Sequence, residues 1–299
     1  MSQVLVVGTV ALDTLETPHG KAENALGGSA THFSLSASRF AAVRLVGVVG
    51  KDFPKEHLEM LRKQKIDLDG LEIAEGKTFR WHGRFEGDMS RAQTLSVDLG
   101  VFASFVPKIP GSHRATPFVL LGNCAPQTQD QVLGQMQKPR FTMLDTMNHW
   151  IGSERPALLK LLPKVDCVCV NFEEALQLAD TTSGAKAVRR ILDLGVKTLI
   201  MKRGEHGATL ATRDWQFSVP SYPTDRVVDP TGAGDSFAGG TLGYLANHGH
   251  EGQALRKAVV YGSVMGSFAV EEFGTRRIQG VSPEEVEQRA KALLEMLRI

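Results

Sequence analysis

The sequence predicts a single α/β domain built on a doubly wound, mostly parallel central sheet flanked by helices, with a small β-sheet lid. Three observations carry that prediction. Continuous apolar runs of strand length recur along the chain: VLVVGTVAL (4–12), VRLVGVVG (43–50), PFVLLGN (117–123), RFTMLDT (140–146), VDCVCV (165–170) and KTLIMKRG (197–204). Such runs suit strands covered on both faces, as in parallel sheets. Between them lie amphipathic stretches such as THFSLSASRF, KEHLEMLRKQ, PALLKLLP and GAKAVRRILDLG, a β-α-β rhythm. Two regions then break the rhythm, DTLETPHGKAENALGG (13–28) and GKTFRWHGRFEGDMSRAQTLSVDLG (76–100), with the alternation and turn residues of antiparallel hairpins.

Those two insertions, taken as 14–26 and 76–103, are placed as a lid over the C-terminal ends of the parallel strands, where such sheets bind ligands. The last third reads as helices: SFAGGTLGYLANHG, EGQALRKAVVYGSVMGSFAVEEFG and SPEEVEQRAKALLEML. The first two are rich in Gly, Ala and Ser, so their backbones can approach neighbours closely. No internal repeat or interdomain linker is visible, so one domain over 1–299 with an appended lid is expected.

Bulk composition excludes several classes. The chain is 42% apolar and 22% charged, ordinary for a globular protein. A formal net charge of +1 gives no broad basic field, so neither a nucleic-acid nor an anionic-membrane partner is expected. MSQVLVVGTVAL runs directly into a strand pattern without a charged leader, and no window holds the roughly 18 apolar residues of a spanning helix. Cys124, Cys167 and Cys169 form no disulfide framework, and the last two, in VDCVCV, read as buried core thiols. A cytoplasmic location is expected.

The chemistry concentrates in DPTGAGDSFAGG (229–240). Pro230 resists helix, Gly232 and Gly234 permit unusual dihedrals, and Asp235 stands where an apolar helix begins. Backbone N–H groups at Gly232, Ala233 and Gly234, with the positive helix end, suit phosphate oxygens. No Lys-Ser or Lys-Thr follows the glycines, so this is not a Walker loop, and a dinucleotide fingerprint lacks its third glycine. Taken alone, the stretch is equally a flexible turn with Asp235 as helix cap.

Asn171 and Glu174 follow a buried strand with capping-box spacing, which also suits a magnesium–phosphate cluster. KRGEHG (202–207) is a hairpin turn or the edge of a nucleotide site, with Gly204 and Gly207 near phosphate or ribose. Asp13 ends the first apolar run, ready to accept hydrogen bonds from hydroxyls, and GGSATH (27–32) follows the first insertion. Phe79, Trp81, Phe85 and Phe102 either cover a ligand or pack the lid.

In this order, Asp13, Gly27-Gly28, Asn171-Phe172-Glu173-Glu174, Lys202-Arg203-Gly204 and Asp229-Pro230-Thr231-Gly232-Ala233-Gly234-Asp235 resemble the ribokinase/PfkB family of carbohydrate and nucleoside kinases over nearly the whole chain. The resemblance implies a ribokinase-like fold and transfer of the ATP γ-phosphate to a hydroxymethyl group. It implies Asp235 as the base, Gly232, Ala233 and Gly234 as the anion hole, and Asn171 and Glu174 as organisers of Mg2+ and the ATP phosphates. It implies Lys202, Gly204, Gly207, Thr231, Gly262 and Ser263 around the nucleotide, with the last two near adenine. Asp13, Gly27 and Gly28 belong to the acceptor site and its hinge, and Asp229 and Thr231 to a K+ position that only some members use. Lids in the family either pair into dimers or remain free.

One position departs from the pattern: His32 stands where the family often has an asparagine on a sugar hydroxyl. That departure and the aromatic second insertion favour a nucleoside acceptor over ribose or fructose. As a base, Asp235 at a helix N-terminus is expected to have a low pKa, acting mainly to orient the hydroxyl in a loose transition state. A non-catalytic sugar or nucleotide sensor would have lost the aspartate or the glycines. An oxidoreductase would carry a Gly-rich turn after the first strand, which VVGTVAL lacks.

Overall fold

The computed structural model describes residues 2–298. Its strands in chain order are β1 (Gln3–Val7), β2 (Ala11–Thr17), β3 (Gly20–Gly27), β4 (Ala42–Gly50), β5 (Ile66–Ala74), β6 (Phe79–Phe85), β7 (Ala92–Asp98), β8 (Phe118–Leu121), β9 (Phe141–Leu144), β10 (Cys167–Asn171), β11 (Thr198–Lys202), β12 (Ala208–Ala211) and β13 (Gln216–Val219). They form a nine-stranded sheet, β13-β12-β11-β10-β9-β8-β1-β4-β5, and a four-stranded sheet, β3-β2-β6-β7. In the large sheet only the β11–β12 and β12–β13 pairs are antiparallel. This is the ribokinase-like α/β architecture that the resemblance implies.

Strand alternation builds the two cores. Val4 and Val6 of β1, with Cys167 and Cys169 of β10, point into one apolar layer shared with the helices Ser29–Ala37, Ala233–His248 and Gly252–Ala269. Leu5, Val7, Val168 and Val170 point into the other, with the helices Arg155–Leu161, Phe172–Leu178 and Gly184–Asp193. Both faces of the central strands are therefore covered, which is why those strands read as unbroken apolar runs.

The run 4–12, expected as one strand, is two strands in two sheets. The chain leaves the large sheet after Val7 and enters the small one at Ala11. Thr9 holds the crossing, its Oγ1 accepting from Ser29 N at 2.9 Å and its carbonyl from Ala30 N at 3.0 Å. The lid strands accordingly begin at Ala11, ahead of the expected 14–26 insertion. β5, IDLDGLEIA, lies at the sheet edge and is only partly covered. Its polar residues hid it from a search for continuous apolar runs.

Candidate active site

The helix Ala233–His248 starts from Gly232, whose φ of 73° is left-handed, and no side chain caps it. Asp235 is therefore not the N-cap but the third helical residue, with its side chain left out of any cap. Glycine at 232 is compulsory on two counts: the positive φ, and the His32 ring, which occupies the space a Cβ would take. Asp229, fully buried, braces the loop by accepting from Thr231 N at 3.0 Å with one oxygen and from Gly274 N at 2.8 Å with the other.

Beside this loop the ends of β9, β10 and β11 bring charged groups together. Lys202 Nζ lies 3.5 Å from Asp145 Oδ1, with both side chains nearly buried. Glu174 closes a full capping box, accepting from Asn171 N at 2.8 Å while Asn171 Oδ1 accepts from Glu174 N at 2.8 Å. Burial first, and then the Asp145 charge, raise the carboxyl pKa of both Glu174 and Asp235, while Lys202 pulls both down. Three carboxylates thus share one lysine; burial pulls the lysine's pKa down, but Asp145 and the other negative groups around it together raise it. The low pKa expected for Asp235 is overturned: desolvation outweighs the helix end. Asp145 was missed, although in RFTMLDT it directly follows β9, the strand-end signal expected of Asp13; Asp13 itself lies inside β2, not at the end of a strand.

On the other side of the loop stands Asp13, 3% exposed, its carboxylate against Gly27 where any Cβ would overlap it. Burial and the nearby Asp229 raise its pKa to about 7, and its Oδ1 has no protein partner. His32 is buried with both ring nitrogens unpartnered, and burial lowers its pKa to about 4, so the ring is neutral at pH 7. Register pairs Asp13 with Trp81 across β2 and β6, placing both side chains on one face of the lid. The indole lies over Gly83, its Nε1 donating to Thr94 Oγ1 at 3.1 Å. Phe79 and Phe102 pack edge to face, 5.9 Å apart, and Phe85 is buried. At the lid tip, Arg91 pairs with Glu173, two residues after Asn171.

The expected nucleotide residues divide. Lys202 joins the carboxylates. Gly204 and Gly207 bound the β11–β12 turn, and Gly207 presses on Val219 and Pro220. Ser263 Oγ donates to Pro220 O at 2.9 Å, so Gly207 and Ser263 meet at one segment, next to Ala208, the strand partner of Lys202. Gly262 sits in the crossing with the preceding helix, against Phe237 and Thr241, as a packing glycine.

The sequence pattern of the pfkB family of carbohydrate kinases matches residues 1–279. The chain belongs to the pfkB family. Membership carries the reaction class, phosphoryl transfer to an alcohol group of a sugar or nucleoside. The kinase is similar to a cytidine kinase of Thermococcus kodakarensis, at 30% identity over 81% of this chain and 88% of that protein. A deoxyribokinase of Salmonella typhi is 33% identical over 40% of this chain and 41% of its own. Among solved structures, a Burkholderia thailandensis nucleoside kinase in complex with inosine superposes with a TM-score of 0.77, at 22% identity over 97% of each chain. A Thermotoga maritima ribokinase gives 0.78, at 20% identity over 97% of this chain and all of that one. These two superpositions bear on the fold. Among the described residues no helix is long and apolar enough to cross a membrane.

Proposed function

We propose that this pfkB kinase transfers the γ-phosphate of ATP to the hydroxymethyl group of a nucleoside. The observation that carries the acceptor class is the Trp81 indole, laid over Gly83 in register with Asp13. An unpartnered carboxylate oxygen for ribose hydroxyls beside an aromatic face for a base matches a nucleoside better than a free sugar. Similarity to a cytidine kinase over most of both chains supports the same reading.

In this reading Asp13 holds the ribose and Asp235 receives the proton of the attacking hydroxyl. A carboxylate whose affinity for protons is raised by burial is a better base than an exposed one. The amides of the Gly232–Gly234 loop, of which Ala233 N also donates to Pro230 O, and Lys202 face the charge that develops on the transferring group. The lid, tied at its tip through Arg91 to Glu173, excludes water. Gly207 and Ser263, meeting at Pro220, border the nucleotide base.

The residues present fit a magnesium ion, because Glu174, Asp145 and Asp235 crowd around the single cation Lys202 and a divalent ion would offset the burial and repulsion that raise their carboxyl pKa values. Glu174 and Asn171 would hold it through water, and when bound it neutralises phosphate charge. The buried Asp229 carboxylate and the orphaned Thr231 Oγ1 fit a monovalent cation such as K+.

An ATP-consumption panel over nucleosides and free sugars, with and without K+, tests the proposal. Turnover with nucleosides such as cytidine and inosine, and none with ribose or fructose, is expected. A sugar-only response overturns the acceptor class.

A further inference from the structure

The lid and the glycine loop touch the same short turn. Gly274 has φ of 60°, and a Cβ on it would stand 3.3 Å from both Ala25 Cβ and Leu26 O of β3. The ring of Phe273, one residue earlier, faces Gly20 at the tip of the β2–β3 hairpin, with ring atoms 3.8 Å and 3.9 Å from where a Cβ there would stand. On its other side the turn donates Gly274 N to Asp229 Oδ2, and Asp229 Oδ1 accepts from Thr231 N. The stem of the loop is fixed to the same segment, since Val228 N and Asp229 N both donate to Val270 O, at 2.7 Å and 3.1 Å.

A continuous path therefore runs from β3 through Gly274 and Asp229 to Thr231 and Gly232. Its links are the close approach of Ala25 Cβ and Leu26 O to Gly274 and the two hydrogen bonds that the buried Asp229 carboxylate accepts. β3 also carries Gly27, against which the Asp13 carboxylate rests. Ala25 and Leu26, which approach Gly274, thus share a strand with the glycine that borders Asp13.

We infer that the Phe273–Gly274 turn transmits the position of the lid to the glycine loop, with Asp229 as the positioning residue. Acceptor binding then sets the amides that receive the phosphate, and phosphate binding favours the closed lid in return, because coupling between two sites is reciprocal. The inference rests on the kinase reading for its ligands, but the path itself is a property of the fold.

Two measurements on Phe273→Ala test it. The variant keeps the Gly274–Asp229 bond and removes the ring that faces the hairpin. Calorimetric ADP binding, with and without the acceptor nucleoside, should show the nucleoside tightening ADP about fivefold or more in the wild type. In the variant that factor should fall to near one, with ADP affinity alone unchanged within about twofold, a split that simple destabilisation does not produce. Hydrogen exchange of the 229–235 amides without ligand should be faster in the variant, and this holds even if no nucleoside binds. Unchanged exchange, or coupling as strong as in the wild type, overturns the inference. So does a wild type that binds both ligands without coupling.

Discussion

Two helix N-termini face the same site, and each carries an acid at its third helical position. In the helix Phe172–Leu178 that acid is Glu174, which returns to the Asn171 backbone in a reciprocal cap. In the helix Ala233–His248 it is Asp235, behind a glycine cap that offers no side chain. The first end satisfies its own donors and is stable by itself. The second ties the Ala233 amide to Pro230 O but has no side-chain cap for the amides that follow, which is a cost to folding and an opportunity for an anion and a proton. Identical slots thus differ in chemistry because of the residue three places earlier: asparagine closes the end, and glycine leaves it open.

The strongest way to break this comparison is to give the open end a side chain. Gly232→Ala forces a Cβ into the His32 ring at positive φ. Backbone strain of about 1–3 kcal/mol and overpacking of similar size should lower the melting temperature and remove most activity. Adding His32→Ala should recover part of the stability and little of the activity, read by thermal melts and turnover.

Next in size is the charge beneath the loop. The Asp13 carboxyl is raised from 3.8 to about 7 in the folded state. Its contribution to stability is therefore complete below its ordinary pKa and is lost as pH rises through about 7. Asp13→Asn should then be more stable than the wild type at pH 8, with the advantage shrinking toward pH 4, while losing activity. His32 has the opposite sign. Lowered from 6.5 to about 4, it supports the fold fully above 6.5 and loses that support as pH falls through 4. His32→Asn should flatten the acid limb. Urea melts across pH check both.

Much of the site was legible because its signals are local. The glycine loop precedes a helix and Asn171 with Glu174 follows a strand, each within a few residues, while Asp13 stood out as an acid closing an apolar run although it lies inside β2. What stayed hidden depends on neighbours far apart in sequence. Asp145 matters because β11 brings Lys202 to it, and the raised pKa of Asp235 comes from burial by several segments. The fold showed the same division. Central strands covered on both faces announced themselves, whereas β5, with one edge open, did not.

Opening the closed end should matter less. Asn171→Ala removes the cap and should cost about 1 kcal/mol. If Glu174 also organises magnesium, the KM for Mg-ATP should rise while kcat changes little. A change in stability alone would make Asn171 and Glu174 a cap and nothing more. The smallest effect is expected from Arg91→Ala, since Arg91 is 76% exposed and such pairs contribute little. Turnover should fall less than about threefold, and added salt should mask the difference.

The central claim is that the acid behind the glycine cap acts on the acceptor, not on the fold. The most direct test is kcat of Asp235→Asn with its best nucleoside, measured alongside the dissociation constant for ADP. Loss of a general base predicts a fall of about 10^2–10^4-fold in kcat with ADP affinity nearly unchanged. A variant that turns over at close to the wild-type rate would contradict the account.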